Sequence, residues 1–399
     1  MRYLLFWLLL FTAPGALSAQ RAFKPVKLAL KAKNYGEAIK QINQLRQDSV
    51  YRDAPKLCIY SMEAYQGQND AQNMKLYLKQ SYDTLAFFST TYQIVNEAIR
   101  LDSLEQQLRV TEEQKPKYQN QVKEQLRRYF PNLLVGARFF YKRGKYQEAM
   151  PYLRRCLDLP ETPLGKDAGL PTKAHQSNAS LYVVCAYNTQ QYDEVHRYQE
   201  WALADTLSRA TILECLINTA AAEKDSFAYL QGLQTAWQEF ADKPAFFTRL
   251  VDYYALRGNY PEVLALVGKQ LERNPMDASA RLAECMANLN LENFDACIET
   301  GKLLLQADTS LVDVNYYVGA AYVAKALLVT MPDNALSKTY QKASLQRKSY
   351  LKDAEPYLEF YRKLAPKDTH RWAPLLYKVY LGLNRGDKFA EIEAVLKAM

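Results

Sequence analysis

Several residue types on which catalytic and metal sites depend are scarce in this chain of 399 residues. It has three histidines, His175, His196 and His370, with no pair four residues apart and no Cys/His pattern typical of a metal site. No Gly-x-Ser-x-Gly motif occurs, and Gly165-Lys166 lacks the spacing and the following Ser or Thr of a phosphate loop. We therefore expect no enzyme, no cofactor and no metal, and we expect the three histidines to be ordinary surface residues.

Long apolar runs are also lacking, except near the start of the chain. Met1 and Arg2 precede nine mostly apolar residues, Leu4 to Thr12, and small residues suited to cleavage follow at 16–19. This order is typical of a secretory signal peptide over residues 1–19. The alternative, a transmembrane anchor, is disfavoured because so short a run does not span roughly 30 Å of hydrocarbon. We expect an exported chain, periplasmic or extracellular, soluble or peripherally associated, with no transmembrane segment after cleavage.

A strong excess of one charge sign is absent. The 51 Lys and Arg residues face 43 Asp and Glu residues, which gives a net charge of +8, and the two signs are interspersed. Such a surface is mildly basic but has no stripe typical of nucleic-acid binding, so we expect no nucleic-acid partner.

What the chain does have is a short motif that recurs along its length. A turn leads to an aromatic residue, which is followed in most copies by an acidic residue and in all of them by a small or β-branched one. The aromatic residues of the five copies are Tyr35, Tyr146, Tyr192, Tyr260 and Phe294. Tyr192 and Tyr260 are 68 residues apart, twice 34, and Phe294 follows Tyr260 by another 34. The spacing predicts a repeat of 34 residues.

These residues and spacings resemble the tetratricopeptide repeat, a helix–turn–helix unit. The fullest copy consists of Leu133, Gly136, Ala137, Phe140, Gly144, Tyr146 and Ala149. The resemblance implies an all-α fold, a right-handed superhelical solenoid of stacked helix–turn–helix hairpins, in which the first helix of each hairpin lines the concave wall. Small residues suit the sites where two helices approach closely.

Six cysteines in a chain with an export signal suggest disulfides, yet a chain of this size does not need them for stability. Cys156, Cys285 and Cys297 fall in phase with the small core residues of the repeat, so we expect these three to be core residues. Cys285 and Cys297 would face each other within one hairpin and form the pair best placed for any bridge.

Three insertions, near residues 109–119, 160–171 and 331–347, interrupt the spacing of 34. Without them and the signal peptide, the chain has room for about ten units. We predict degenerate hairpins over 20–129, the best-phased units over 130–311, and further units over 312–399 with a polar end-cap. The last insertion is basic, and it is either a lengthened hairpin or a separate basic extension.

The first helices present a set of polar and aromatic residues that the resemblance places on the concave wall. These candidates for partner binding are Arg138, Tyr141, Lys142, Tyr187, Asn188, Asn218 and Asp252. The alternative is that they are ordinary solvated helix residues. Chaperone-binding members of the family hold a C-terminal carboxylate with a Lys/Asn clamp. Here the equivalent positions hold Arg138 and Asn218, with Glu214 where a Lys is needed, so this partnership is not expected.

Two functions follow as hypotheses. The first is a non-enzymatic scaffold in the cell envelope that binds peptide or protein segments on its concave face. The second is a module that binds glycans or anionic envelope polymers, since the chain has 30 Tyr, twice its 15 Phe, and a basic balance.

Overall fold

The computed structural model describes residues 21–109 and 116–399, and these residues form helices and connections with no strand. The predicted signal peptide, residues 1–19, lies outside the described residues. The first ten helices are α1 (Lys24–Lys31), α2 (Tyr35–Gln47), α3 (Pro55–Tyr77), α4 (Thr84–Gln107), α5 (Gln119–Tyr141), α6 (Tyr146–Asp158), α7 (Pro163–Ala168), α8 (His175–Asn188), α9 (Tyr192–Val195) and α10 (Gln199–Leu203). The next ten are α11 (Arg209–Glu223), α12 (Ser226–Glu239), α13 (Pro244–Ala255), α14 (Tyr260–Arg273), α15 (Ala278–Asn290), α16 (Phe294–Ala307), α17 (Val312–Leu328), α18 (Lys338–Leu364), α19 (Thr369–Leu383) and α20 (Gly386–Ala398).

The chain divides into two compact parts, an N-terminal part that ends at Tyr229 and a C-terminal part that begins at Leu230, within α12. In the N-terminal part α1 pairs with α2, α3 with α4, α5 with α6, and α8 with α9 and α10. In the C-terminal part the pairs are α13–α14, α15–α16, α17–α18 and α19–α20. Within each part successive hairpins pack on one another, so the predicted all-α solenoid of stacked hairpins is confirmed.

The structure contains fewer units than the expected number of about ten. The described residues form eight closed hairpins, and α11 and α12 follow the fourth as the first and second helices of a further unit, within which the division at Tyr229 falls. The difference arises because α3, α4 and α5 each run for 23 or 24 residues. A hairpin of such long helices uses more than 34 residues, so fewer units fit in the same length of chain.

A left-handed backbone residue recurs two positions before the second helix of a hairpin. The φ angles of these residues lie between 53° and 68°. They are Lys33, Gly144, Gln190, Lys224, Gly258, Glu292 and Asn384. Only two of them are glycines, for which this conformation carries no steric penalty. The turn geometry thus repeats more regularly than the sequence that encodes it.

Small buried residues recur just as regularly. In the second helices the residue three positions after the starting aromatic is inaccessible to solvent, as the set Ala38, Ala149, Val195, Val263 and Cys297 shows. The equivalent buried set in the first helices is Ala137, Val183, Ile217, Val251 and Cys285. Large side chains at these positions would force the paired helices apart. This repetition of buried positions, independent of any other protein, establishes the repeat.

Cys285 and Cys297 occupy these core positions, and Cys156 is buried as well, so the three cysteines expected in the core lie there. All six are buried, and burial raises the pKa of the Cys156 and Cys185 thiols to about 12, so both are neutral at physiological pH. The Sγ atoms of Cys285 and Cys297 lie 3.4 Å apart across their hairpin. Their mutual contact and burial raise the pKa of Cys285.

The insertion at 160–171 forms a 3-10 turn, Leu159–Glu161, and the short helix α7. Arg127 on α5 donates to the Ala168 carbonyl at 2.7 Å, and Lys123 pairs with Asp167 at 3.1 Å. These two contacts fasten the inserted segment to the hairpin that precedes it.

The expectation for His175 is wrong. Its side chain is 11% exposed, because the ring stacks on Trp201 at 5.0 Å and its Nδ1 lies 3.3 Å from Glu161. The inserted segment covers the ring, and sequence alone does not reveal such tertiary burial. His196 and His370 are more exposed, but His196 lies in the break between α9 and α10 and not in a helix.

The insertion at 331–347 takes the form of a lengthened hairpin. A connection follows α17, and α18 then runs for 27 residues. Pro356 lies inside α18, 18 residues after the helix begins. None of the described helices is both long enough and apolar enough to cross a membrane.

Candidate functional site

The candidate site is built on α5, α8 and α11, the successive first helices of the N-terminal part. The three helices bury equivalent positions. Residues 133, 137 and 140 on α5 correspond to 179, 183 and 186 on α8 and to 213, 217 and 220 on α11, and all nine are buried. The residue that follows 137 and its equivalents is more accessible than these buried positions. It is Arg138 on α5, which is exposed, and Val184 on α8 and Asn218 on α11, which are half-buried, Val184 against the edge of the core. We call these three residues the exposed row.

Arg138 and Lys142 make one end of the site basic. Both side chains are exposed, and they lie one helical turn apart at the end of α5. Val135 lies on the same stripe and is 54% exposed. This end therefore offers two cations beside an apolar contact.

Tyr141 lies beside the row and is half-buried. Its ring packs edge-to-face on Tyr146 at 5.7 Å. Burial raises the pKa of its hydroxyl, with smaller contributions from Cys185, Tyr146 and Cys215. The phenol is thus a neutral hydrogen-bonding group held on a rigid base, at the meeting point of α5, α8 and α11.

Tyr187 and Asn218 come together as the sequence analysis expects of two residues on one face. The Asn218 side-chain amide donates to the Tyr187 hydroxyl at 3.3 Å, which links α8 to α11. A phenol that accepts one hydrogen bond still has its own proton to donate. Asn188 is exposed, and its amide donates to the carbonyl of Val184 on its own helix at 2.8 Å.

A partly buried network joins α8 to α6 and α9. The hydroxyl of the fully buried Tyr182 donates to Glu194 at 2.6 Å and accepts from Arg154 at 2.8 Å. Arg154 and Arg197 each lie 2.7 Å from the Glu194 carboxylate. Partial burial opposes ionisation of Glu194, but the hydrogen bonds from Tyr182, Arg197 and Arg154 outweigh it and lower the pKa to about 2. The ionised carboxylate thereby fixes the helices that support the site.

Asp252 lies on α13 in the C-terminal part, where it is exposed at the position equivalent to Arg138. Val184, the middle residue of the exposed row, is not among the sequence-predicted candidates, because those are polar and aromatic residues only. The signal was available, since Val184 is in phase with Arg138 and Asn218 when the buried positions are aligned.

The described residues of this surface include no cluster that could hold a metal ion. Across residues 21–109 and 116–399, no group of three or more His, Cys, Asp or Glu side chains could hold a metal ion. The side chains of this surface present a pair of cations, two phenols, amides and a stripe of small apolar contacts.

No protein-family model and no curated protein matches the chain. Among solved structures it is similar to the C-terminal part of a TPR repeat-containing protein from Cytophaga hutchinsonii, with 13% identity, a TM-score of 0.37, and coverage of 64% of this chain and 97% of that one. A tetratricopeptide repeat protein from Parabacteroides merdae shows 12% identity and a TM-score of 0.35, over 66% of this chain and 96% of that one. The P58(IPK) TPR domain shows 10% identity and a TM-score of 0.26, over 94% and 98%. At such TM-scores, the description of the fold rests on the repeated hairpins within this chain.

Proposed function

We propose that this chain is a non-enzymatic interaction scaffold that binds a protein segment along the exposed row of α5, α8 and α11. The observation that carries the proposal is the register of Arg138, Val184 and Asn218, three equivalent positions on consecutive first helices. Stacked helices repeat their outward residues at regular intervals, which suits an extended chain that makes similar contacts at each step.

The residues beside the row supply the contacts that such a segment requires. Tyr141 and Tyr187 are half-buried and therefore lose little side-chain entropy when a partner covers them. Arg138 and Lys142 favour a segment with an acidic residue or a carboxylate at the α5 end. Val184 provides an apolar contact midway along the row.

We further propose that the chain acts outside the cytoplasm, on the strength of the signal-like residues 1–19. Alkaline phosphatase gains activity only after export from a bacterial cytoplasm, so it serves as the reporter. A fusion to the full chain is expected to be active and a fusion to residues 20–399 inactive. Equal activity of the two fusions would refute export through this segment.

The binding proposal is tested by site-specific photocrosslinking in cells. A benzoylphenylalanine at position 184 is expected to capture a discrete protein, and the same probe at the exposed Glu148 on α6 is expected not to. Arg138→Glu should reduce the capture at 184 by about tenfold, because it reverses a charge within the site. Thr211→Glu, which adds a negative charge to α11 away from the row, is the matched control.

Two results would count against the proposal. Capture at 148 as strong as that at 184 would show that the row is not the site. Retention of the protein on envelope polysaccharide that is weakened by Tyr187→Ala, with no protein captured, would favour the glycan hypothesis instead.

A further inference from the structure

The first half of α18, residues 338–350, is a helix without a core of its own. Its first buried residue is Leu351, although the helix begins at Lys338. Helices of globular proteins draw most of their stability from an apolar face packed on neighbours. This stretch has only half-buried contacts, so much of its surface is left without a partner.

The same stretch has a charge pattern unlike the rest of the C-terminal part. Residues 334–352 include five basic residues and no acidic one. Lys338 and Lys342 lie one turn apart, as do Lys348 and Lys352, and like charges at this spacing destabilise a helix. Lys338, Lys342, Lys348 and Lys352 share one face, which we call the lysine face, and Leu345 in its midst is 70% exposed.

Several other cations of the C-terminal part are neutralised by neighbouring carboxylates. Arg371 pairs with Asp313, Arg385 and Lys388 pair with Glu355, and Arg362 pairs with Glu391. In contrast, none of the four lysines of the lysine face pairs with any acidic residue that the structure describes. The fold therefore leaves this cluster of positive charge without internal compensation.

A cavity of about 630 Å³ opens beside this half-helix, between the start of α16, the end of α17 and α18. Its volume is within the range of roughly 300–1,000 Å³ that is usual for binding pockets. The apolar part of its lining comes from Phe294, Leu328, Val329, Pro332, Ala343 and Tyr350.

The charged groups of the cavity favour an anion on the α18 side. Lys325 is neutralised by Asp295 and lies 4.7 Å from the centre of the Tyr350 ring. Glu292 lies on the opposite wall, at the turn before α16. Lys342 lines the cavity and also belongs to the lysine face, so it joins the apolar pocket to the positive surface.

We propose that the lysine face and this cavity together form a second docking surface, which binds an acidic protein segment with one large apolar anchor residue. The carboxylates of the segment pair with Lys338, Lys342 and Lys348, and its anchor residue enters the cavity. A membrane is the less suitable occupant, because the lysine face has one exposed leucine, Leu345, and no aromatic residue to enter a bilayer. This surface uses none of the residues of the exposed row, so the failure of one proposal would leave the other unaffected.

The test uses the full chain and a fluorescein-labelled peptide of glutamates that flank a central phenylalanine. A second peptide with alanine in place of phenylalanine isolates the contribution of the anchor. Fluorescence anisotropy gives the Kd of each peptide as a function of salt. We expect the phenylalanine peptide to bind more tightly, and both peptides to bind less tightly as the salt concentration rises.

Charge reversal at Lys338→Glu, Lys342→Glu and Lys348→Glu is expected to raise the Kd by at least about tenfold. The matched control reverses Lys24, Lys27 and Lys31, three exposed lysines of α1, and should change the Kd by less than about twofold. Gln at the same three α18 positions should give an intermediate loss, and it serves as the second variant if the Glu variant does not fold. Equal weakening by the α1 control would overturn the proposal.

Filling the cavity tests the anchor independently of charge. Ala343→Trp should bring the phenylalanine peptide to the affinity of the alanine peptide, whereas Ala390→Trp, on the exposed side of α20, should not. An unchanged preference for phenylalanine in Ala343→Trp would overturn the role of the cavity. Binding to phosphatidylglycerol vesicles without binding to either peptide would overturn a protein segment as the occupant.

Discussion

At the scale of single residues, the carboxylate of Glu194 has the most clearly defined role in the N-terminal part. It accepts from Tyr182 on α8, Arg154 on α6 and Arg197 in the break after α9. Each of these groups stabilises the charged form, and together they lower its pKa from 4.5 to about 2 against the cost of partial burial. A charge that accepts hydrogen bonds from several donors contributes more to folding stability than an exposed surface ion pair does.

Glu194→Gln is therefore expected to destabilise the protein by roughly 2 kcal/mol at pH 7. Because the folded-state pKa lies below that of the unfolded chain, the stabilisation is fully present above about pH 4.5 and is lost as the pH falls towards 2. Urea unfolding at pH 7 and pH 3 should show the difference between wild type and variant shrinking in acid. Glu148→Gln, an exposed change on α6, is the control, and a pH-independent difference for Glu194→Gln would contradict the assignment.

At the scale of elements, two glycines show how closely the chain approaches itself. A Cβ at Gly165 on α7 would lie 1.9 Å from the carbonyl oxygen of Leu159, a backbone atom that has little freedom to move. A Cβ at Gly268, within α14, would meet nothing within 4 Å. The same residue type is thus required in the inserted segment and dispensable in a regular helix.

Gly165→Ala should lower the stability of the N-terminal part by about 1–3 kcal/mol through overpacking. Gly268→Ala should raise stability by about 0.5–1 kcal/mol, because alanine favours the helix. Chemical denaturation of the two variants, prepared in parallel, measures both effects. Opposite signs are the expected result, and a loss of stability in both variants would contradict it.

The uneven burial of α18 leads to a further prediction about this element. Residues 338–349 have no buried side chain, whereas Leu351, Ala354, Leu358 and Tyr361 are buried in the core of the C-terminal part. Amides in the first stretch should therefore exchange with solvent at least about tenfold faster than those of 351–361. Hydrogen exchange with mass spectrometry compares peptides from the two halves, and equal protection would contradict the prediction. Addition of the acidic phenylalanine peptide should slow exchange in the first half only.

At the scale of the whole molecule, stability is distributed over separate cores. One core includes residues from Cys58 to Cys215, and another includes residues from Cys285 to Ile392. In a stack of hairpins each unit contacts its neighbours in sequence, so stability is approximately a sum of local terms. Such an array does not have to unfold in a single transition.

Tryptophans report on both parts, since Trp201 packs on His175 in the first and Trp372 is buried in the second. Incorporation of 5-fluorotryptophan gives each residue its own fluorine NMR signal, which Trp→Phe variants assign. In a urea series the signals of Trp201 and Trp372 should disappear at different midpoints. Coincident midpoints would show that the chain unfolds as one cooperative unit.

Much of the fold could be predicted from sequence because the repeat places particular residue types at fixed spacings, a pattern that few other folds require. The spacing of Tyr192, Tyr260 and Phe294 gave the period, and the in-phase cysteines gave three core positions correctly. The number of units and the start of α18 could not be predicted. Helix length depends on how far neighbouring helices extend, and a recurring turn motif does not encode it.

The candidate site was predictable only in part. The sequence placed Arg138 and Asn218 on one face, but it passed over Val184 because a valine gives no chemical signal. It assigned His175 to the surface, since nothing in its neighbours along the chain shows that Trp201 and Glu161 will close over its ring.

The sequence by itself determined the all-helical repeat, the identity of the small residues between paired helices and the absence of recognisable catalytic motifs. These properties depend on short-range periodicity, which local residue types encode. Only the tertiary structure decided which charges are compensated, which helix half lacks a core and where a cavity opens beside it. These properties depend on the packing of helices distant in sequence, and the side chains that meet there acquire their environment only when the hairpins stack.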